Sequence, residues 1–226
     1  VGSMINFIIE NWQRALYLTG EHLLIVFSSI IIALAIGIPL GIYISIKEEL
    51  ADPVLNLANI VMTIPSIALF GILIPFLSIF NVGLGPVPVV IALVLYSQLP
   101  IIRNTHAALK NIDPATIDAA RGLGLSRWKM LTEVQLPLAL PVIIAGVRVA
   151  VVMNIGIVTI AVYVGAGGLG KFIQRGIDQV YEEQIMAGAL LIALLAIVVE
   201  GMMYLLERWV TPQGLKRGGD NETFEL

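Results

Sequence analysis

The residues of this chain that could do covalent chemistry are scattered. His22 and His106 have no partners at metal-ligand spacing. No Ser/His/Asp arrangement or carboxylate pair falls on a plausible shared surface, and no glycine loop is followed by Lys-Ser/Thr, so the chain is not expected to hydrolyse ATP. The run Gly165-Ala166-Gly167-Gly168-Leu169-Gly170 has dinucleotide-loop spacing, but such a loop needs a preceding strand, and here an apolar helical stretch precedes it. A tight external turn is the expectation. The chain has no cysteine, which excludes disulfides and thiolate metal sites. What remains is recognition. Asp118-Ala119-Ala120-Arg121-Gly122-Leu123-Gly124 is a polar stretch trapped between apolar ones, and Val134-Gln135-Leu136-Pro137 begins ten residues after its last glycine. It reads as a surface built to be held by another protein.

The elements that must position this surface are short helices. Asp113 is placed to cap a free backbone N–H, and Pro114 follows at the first helical position, where its missing N–H costs nothing. Ala115–Arg121 favours helix, and Gly122 and Gly124 stop it. Ser126 can cap a second helix that carries Trp128, Met130 and Leu131 and is expected to end before Pro137. Ala115, Ala119 and Ala120 leave the first helix thin enough to enter a groove. The competing reading is a plain amphipathic loop lying on a membrane face.

Composition supplies the membrane. Of 226 residues, 58% are hydrophobic and 13% charged, with a mean hydropathy of +0.93. Soluble domains carry roughly 25% charged residues. The net charge of −3 gives no reason to expect a nucleic-acid partner. About 20 apolar residues cross a bilayer, and five stretches qualify: 23–46, 53–80, 86–102, 138–164 and 185–206. The second is long, and Pro65 and Pro75 could break it, so six spans are possible. Nine Lys and Arg fall on the side of the polar loop and the C-terminus against three on the other. That side is therefore expected to be cytoplasmic, with the N-terminus outside. Residues 1–3 ahead of Met4 read as the remnant of a removed tag. Residues 4–21 read as an interfacial amphipathic helix, and 22–217 as one transmembrane domain with its loop at 103–137. Residues 218–226 read as a disordered polar tail. The fold class is an all-α polytopic membrane protein.

The spacing around the loop resembles the EAA motif of permease subunits of bacterial ABC importers. Asp118-Ala119-Ala120 stands for Glu-Ala-Ala, Gly124 falls at the motif glycine, Val134 replaces Ile, and Leu136-Pro137 closes it. Leu99-Pro100-Ile101-Ile102-Arg103-Asn104-Thr105, Gln135–Pro141, Gly165–Gly170 and Leu206–Gly214 resemble the osmoprotectant branch, which imports glycine betaine, carnitine, choline and related quaternary amines. The resemblance implies the MetI-like permease fold in the bacterial or archaeal cytoplasmic membrane. It also implies a coupling helix docked in a separate ATPase that holds ATP and Mg, with Asp118, Ala119, Ala120, Arg121 and Gly124 as contacts. The other implied partners are a second permease (the same chain or a paralogue), a separate substrate-binding protein docked near Gly165–Gly170, and membrane lipid. No cofactor is expected on this chain itself. A permease of the same architecture for methionine or another amino acid derivative is the nearer alternative; an ATP-independent channel or carrier is the remote one.

Inside the spans, Arg148 is the one basic residue. At 1.5 Å per residue it lies about 15 Å deep and Glu200 about 10 Å deep from the same side, close enough to pair. Snorkelling to the headgroups is the alternative. Tyr96, Ser97, Gln98 and Asn154 are candidates for the translocation pathway, with Thr63, Ser66 and Tyr163 weaker ones; Tyr96 and Tyr163 suit a quaternary ammonium through cation–π attraction. Interhelical hydrogen bonding would explain any of them without transport.

Overall fold

The computed structural model describes residues 2–211. Val1 and the tail at 218–226 lie outside the described residues, as does the end of the Leu206–Gly214 segment. The described chain is helical, in the order α1 (Gly2–Glu10), α2 (Trp12–Ile46), α3 (Ala51–Thr63), α4 (Ser66–Ser78), α5 (Pro86–Lys110), α6 (Pro114–Gly122), α7 (Arg127–Lys129), α8 (Leu136–Val158), α9 (Gly170–Asp178) and α10 (Glu182–Val210). A π-helical stretch, Met130–Gln135, joins α7 to α8 without a break, and 3-10 turns lie at Glu48–Leu50 and Ala161–Val164.

Four helical rods are long and apolar enough to cross a membrane: α2, α5, the continuous Arg127–Val158 rod and α10. The fifth candidate is a bent pair of helices. The α3 segment, counted from Glu48, and α4 meet at 97°. The break falls where Ile64 is extended (φ −69°, ψ 126°) ahead of Pro65, because the proline ring crowds the preceding residue out of the helical region. Pro75 sits inside α4 without ending it. Each half has 13 residues, or about 20 Å of helix, too short to cross about 30 Å alone. The sixth span is therefore not formed.

α5 is the axis of the bundle. In its apolar stretch 61% of residues are buried, against 6% for α10. Leu93, Val89 and Ile101 on α5 meet Val26 on α2, Phe70 on α4 and Ile155 on α8 in one core. α2 packs directly on α5 at Gly37 and Gly41: a Cβ on Gly41 would stand 2.6 Å from Thr105. Small residues bring membrane helices close enough for dense packing, the main attraction left once water is absent. α10 turns Leu190, Leu194, Ile197, Met202 and Leu205 outward.

Three boundaries differ from those read in the sequence. The first long helix begins at Trp12, not near Leu23; Ala15 and Leu18 pack on Leu169 and Phe172, so residues 12–21 continue the same helix as 23–46 and α1 is a separate one. α1 packs through Phe7, edge-on to Phe172 and Tyr181 at 5.7 Å each. α5 continues through Arg103 to Lys110. Its polar residues do not end it, because they bond back to their own helix: Asn104 Nδ2 to the Pro100 carbonyl and Thr105 Oγ1 to the Ile101 carbonyl, both at 2.8 Å. Finally, the helix begun at Ser126 does not end before Pro137. The Leu136 N–H reaches back five residues to the Leu131 carbonyl, and this wider turn takes up the Pro137 ring, which would strike the Glu133 carbonyl in a regular α-turn.

Candidate functional site

The polar segment folds as an exposed corner. Asp113 accepts from the Ala115 N–H at 2.8 Å and Pro114 opens α6. The helix is nine residues long and ends at Gly122, and Gly124 takes φ +77°. A Cβ there would meet nothing within 4 Å, so the glycine is required by conformation alone. Ser126 then accepts from the Lys129 N–H at 3.3 Å and starts α7.

The five candidate contact residues divide. Asp118, Ala119, Arg121 and Gly124 are exposed, and Asp118 accepts from Arg121 Nη1 at 3.2 Å on the outer face of α6. Ala120 is turned inward, 4% exposed, and seats the helix on the chain itself. Two residues join the exposed face that the sequence reading did not select as contacts: Leu123, 83% exposed, and Trp128, 71% exposed. The signal for Leu123 was present, since a leucine between two glycines at a helix end has nothing to cover it. A cavity of about 550 Å³ lies beside this corner, between Arg121, Leu125, Arg127, Met130 and the C-terminal end of α2 at Ile46.

The candidate pathway residues do not converge on one cavity. Tyr96 is buried and donates its hydroxyl to the Ile64 carbonyl at the α3–α4 break. With Thr63, Ser66, Pro65, Met62 and Met153 it lines an open pocket of about 250 Å³. Asn154 is fully buried, and its Nδ2 donates to Ser97 Oγ at 2.9 Å and Ser29 Oγ at 3.3 Å; it joins α8 to α5 and α2. Gln98 donates to the Val94 carbonyl at 3.0 Å on its own helix and lies on a separate groove toward α3. Tyr163 is 56% exposed in the 3-10 turn after α8.

The structure brings Arg148 and Glu200 together, Nε to Oε1 at 3.3 Å, and adds a second carboxylate, Glu207, at 2.9 Å from Nη1. One guanidinium thus spans two turns of α10, using the forked donors that suit arginine to two carboxylates. At the other end of the bundle Gly165–Gly170 follows α8 and a 3-10 turn. No strand precedes it, so it does not have the setting of a dinucleotide loop. His22 is fully buried, and His106 Nε2 lies 3.5 Å from Glu48. Among the described residues no cluster of three or more His, Cys, Asp or Glu could hold a metal.

Residues 23–212 match the family described as binding-protein-dependent transport system inner membrane component. The osmoprotectant import permease protein OsmW of Salmonella typhimurium is 45% identical over 94% of this chain and 99% of its own. Two permease proteins of one Bacillus subtilis glycine betaine/carnitine/choline transport system are also similar: OpuCB at 36% over 96% of this chain and 97% of its own, and OpuCD at 39% over 88% and 85%. A solved structure of the MetNI methionine ABC transporter in inward-facing conformations superposes with a TM-score of 0.77 at 25% identity, covering 86% of this chain and 94% of that one. An all-α fold of long apolar helices and these likenesses agree: the chain is a multi-pass membrane permease subunit and belongs to the binding-protein-dependent inner membrane component family of ABC importers.

Proposed function

We propose that this chain forms half of the translocation pathway of an ATP-driven importer for osmoprotectants, quaternary amines such as glycine betaine, carnitine and choline. The observation that carries the reading is 45% identity along 99% of an osmoprotectant import permease. α6 and its glycine corner dock in a cleft of a separate ATPase, which holds ATP and Mg and does the hydrolysis. Asp118, Ala119, Arg121 and Gly124 form that contact with Leu123 at its tip, while Ala120 supports it from behind. ATP binding draws two ATPase subunits together, and the corner passes the motion into the Arg127–Val158 rod.

A single bundle with one broken crossing encloses no path, so a second permease completes it, either a copy of this chain or a paralogue. The similarity to two permease proteins of one B. subtilis system supports the pairing. The solute passes the α3–α4 break, where Tyr96 offers an aromatic face to a quaternary ammonium; Asn154 braces the helices behind it, and Gln98 and Tyr163 are the further candidates for the route. A separate binding protein delivers the solute to the outer face. The protein sits in the bacterial or archaeal cytoplasmic membrane with α6 and the C-terminus inside and the N-terminus outside, as the Lys and Arg distribution argues.

The test is reconstitution in proteoliposomes with ATPase subunits and binding protein, measuring uptake of labelled glycine betaine, carnitine, choline and methionine. ATP-dependent accumulation of a quaternary amine is expected. Transport without ATPase would overturn the reading. Methionine transport in preference to the amines would favour the second reading, an amino acid importer, for which the superposition on a methionine transporter speaks.

A further inference from the structure

Two consecutive side chains of α2 hold the main chain of the outer glycine run. Glu21 Oε2 accepts from the Gly168 N–H at 3.1 Å and from Lys171 Nζ at 3.0 Å. His22 Nδ1 lies 3.3 Å from the Leu169 nitrogen. A backbone N–H can only donate, so Nδ1 is the acceptor and the ring proton sits on Nε2. Nε2 then donates to the Ile155 carbonyl at 3.0 Å. One fully buried imidazole therefore ties three segments, α2, α8 and the glycine run, across sequence separations of 133 and 147 residues.

The main chain comes as close to these side chains as glycine allows. Gly167 and Gly168 take φ +95° and +86°. A Cβ on Gly167 would stand 2.6 Å from Glu21 Oε2, and one on Gly168 3.1 Å from His22 Nδ1. The held segment also plugs the bundle, since Leu169 is fully buried against Ala15, Leu18 and Phe172. It connects back to α5, because the Gly85 N–H donates to the Val164 carbonyl at 2.8 Å just ahead of the run. Ile155, which receives the imidazole proton, adjoins Asn154, whose amide joins α8 to Ser97 and Ser29. Hydrogen bonds thus run from the outer loop through His22 to the middle of the bundle.

We propose that Glu21 and His22 are positioning residues of the transport cycle: they fasten the glycine run to α2 and α8, so that docking of the binding protein on that face is felt at α8. The functional half rests on the importer reading above; the fastening does not. The test separates the two arms of the imidazole. His22→Leu removes both. His22→Asn keeps an acceptor where Nδ1 stands and loses the reach to Ile155. His22→Gln keeps a donor where Nε2 stands and loses the acceptor. Glu21→Gln keeps an acceptor for Gly168 and loses the Lys171 charge pair.

Hydrogen exchange of the peptide spanning 165–170, in the assembled complex, is expected to rise about tenfold in His22→Leu and His22→Gln, the scale of one lost hydrogen bond. In His22→Asn and Glu21→Gln it should stay within about threefold of wild type on the same argument. Stimulation of ATP hydrolysis by glycine-betaine-loaded binding protein should fall in the same order, with basal hydrolysis and assembly unchanged. Equal exchange in the Leu, Asn and Gln variants would reduce His22 to packing and overturn the proposal. So would full stimulation in His22→Leu, or basal hydrolysis falling in parallel. A wild-type complex that shows no stimulation at all would instead defeat the importer reading, and the exchange comparison would still decide the fastening.

Discussion

The tripeptide Gly-Leu-Gly occurs three times; Gly83-Leu84-Gly85 leaves its leucine exposed, and Gly122-Leu123-Gly124 and Gly168-Leu169-Gly170, at opposite ends of the bundle, have opposite outcomes. Leu123 is 83% exposed and Leu169 is fully buried. Near the first, the chain is organised by its own neighbours: Asp113 and Ser126 satisfy N–H groups two and three residues away. At the second, a helix 147 residues distant supplies the acceptors. A corner built from local contacts can be offered whole to another protein. A loop built from distant contacts reports on the helices that hold it.

The comparison can be broken in several ways. The largest effect is expected from Leu169→Ala. It empties a fully buried site and should cost about 2–5 kcal/mol, seen as a lower unfolding temperature in detergent, whereas Leu123→Ala should shift stability by less than about 0.5 kcal/mol. Leu123→Asp should instead leave unfolding unchanged and abolish recovery of the ATPase in a pull-down; retention of the ATPase would remove the corner from the docking surface. Gly124→Val forces a branched residue to φ +77° and should cost about 1–2 kcal/mol along with ATPase recovery. Between the two ends, Arg148→Leu should destabilise the protein and be partly rescued by Glu200→Leu. A double-mutant cycle should give coupling of about 1 kcal/mol for these partly exposed groups, with a comparable coupling to Glu207; additive losses would deny the pair.

The smallest effect concerns pH. Lys110, 2.9 Å away, holds the Glu48 carboxyl below the ordinary glutamate range through its hydrogen bond, against desolvation, with the Lys110 charge and then His106 adding to it. A depressed value favours the folded state above the unfolded value and loses that support as pH falls through the folded one. The Lys110–Glu48 tie between the end of α5 and the 3-10 turn should therefore weaken as pH falls below about 4.5. Lys110→Met should move the Glu48 titration, followed by NMR, back toward the ordinary range.

The sequence was most legible where structure is local. The Asp113-Pro114 start, the stop at Gly122 and the Ser126 cap are short-range chemistry, and each forms. Counting residues into spans was enough to bring Arg148 and Glu200 within about 5 Å of each other in depth. Glu207 was missed because it reads as the end of a span rather than a partner one helical repeat further on. The continuation of α5 through Arg103–Lys110 was hidden because polar side chains that bond their own helix look like a loop. The place of His22 could not be read at all: its partners, Ile155 and Leu169, become neighbours only when three helices have packed. The π-helical join at 130–135 has no composition of its own, and Pro137 pointed to a stop instead.

That join has a mechanical consequence. Because the helix does not stop at Pro137, Arg127–Val158 is one rod of 32 residues, about 48 Å at the regular rise. It begins just after the α6 corner and ends just before the 3-10 turn and the glycine run, with Arg148 and Asn154 between. Such a strut has no slack: a tilt of about 10° at the corner swings the far tip by about 8 Å over that length. Torque applied on one side of the bilayer then reaches the other within a single continuous piece of backbone.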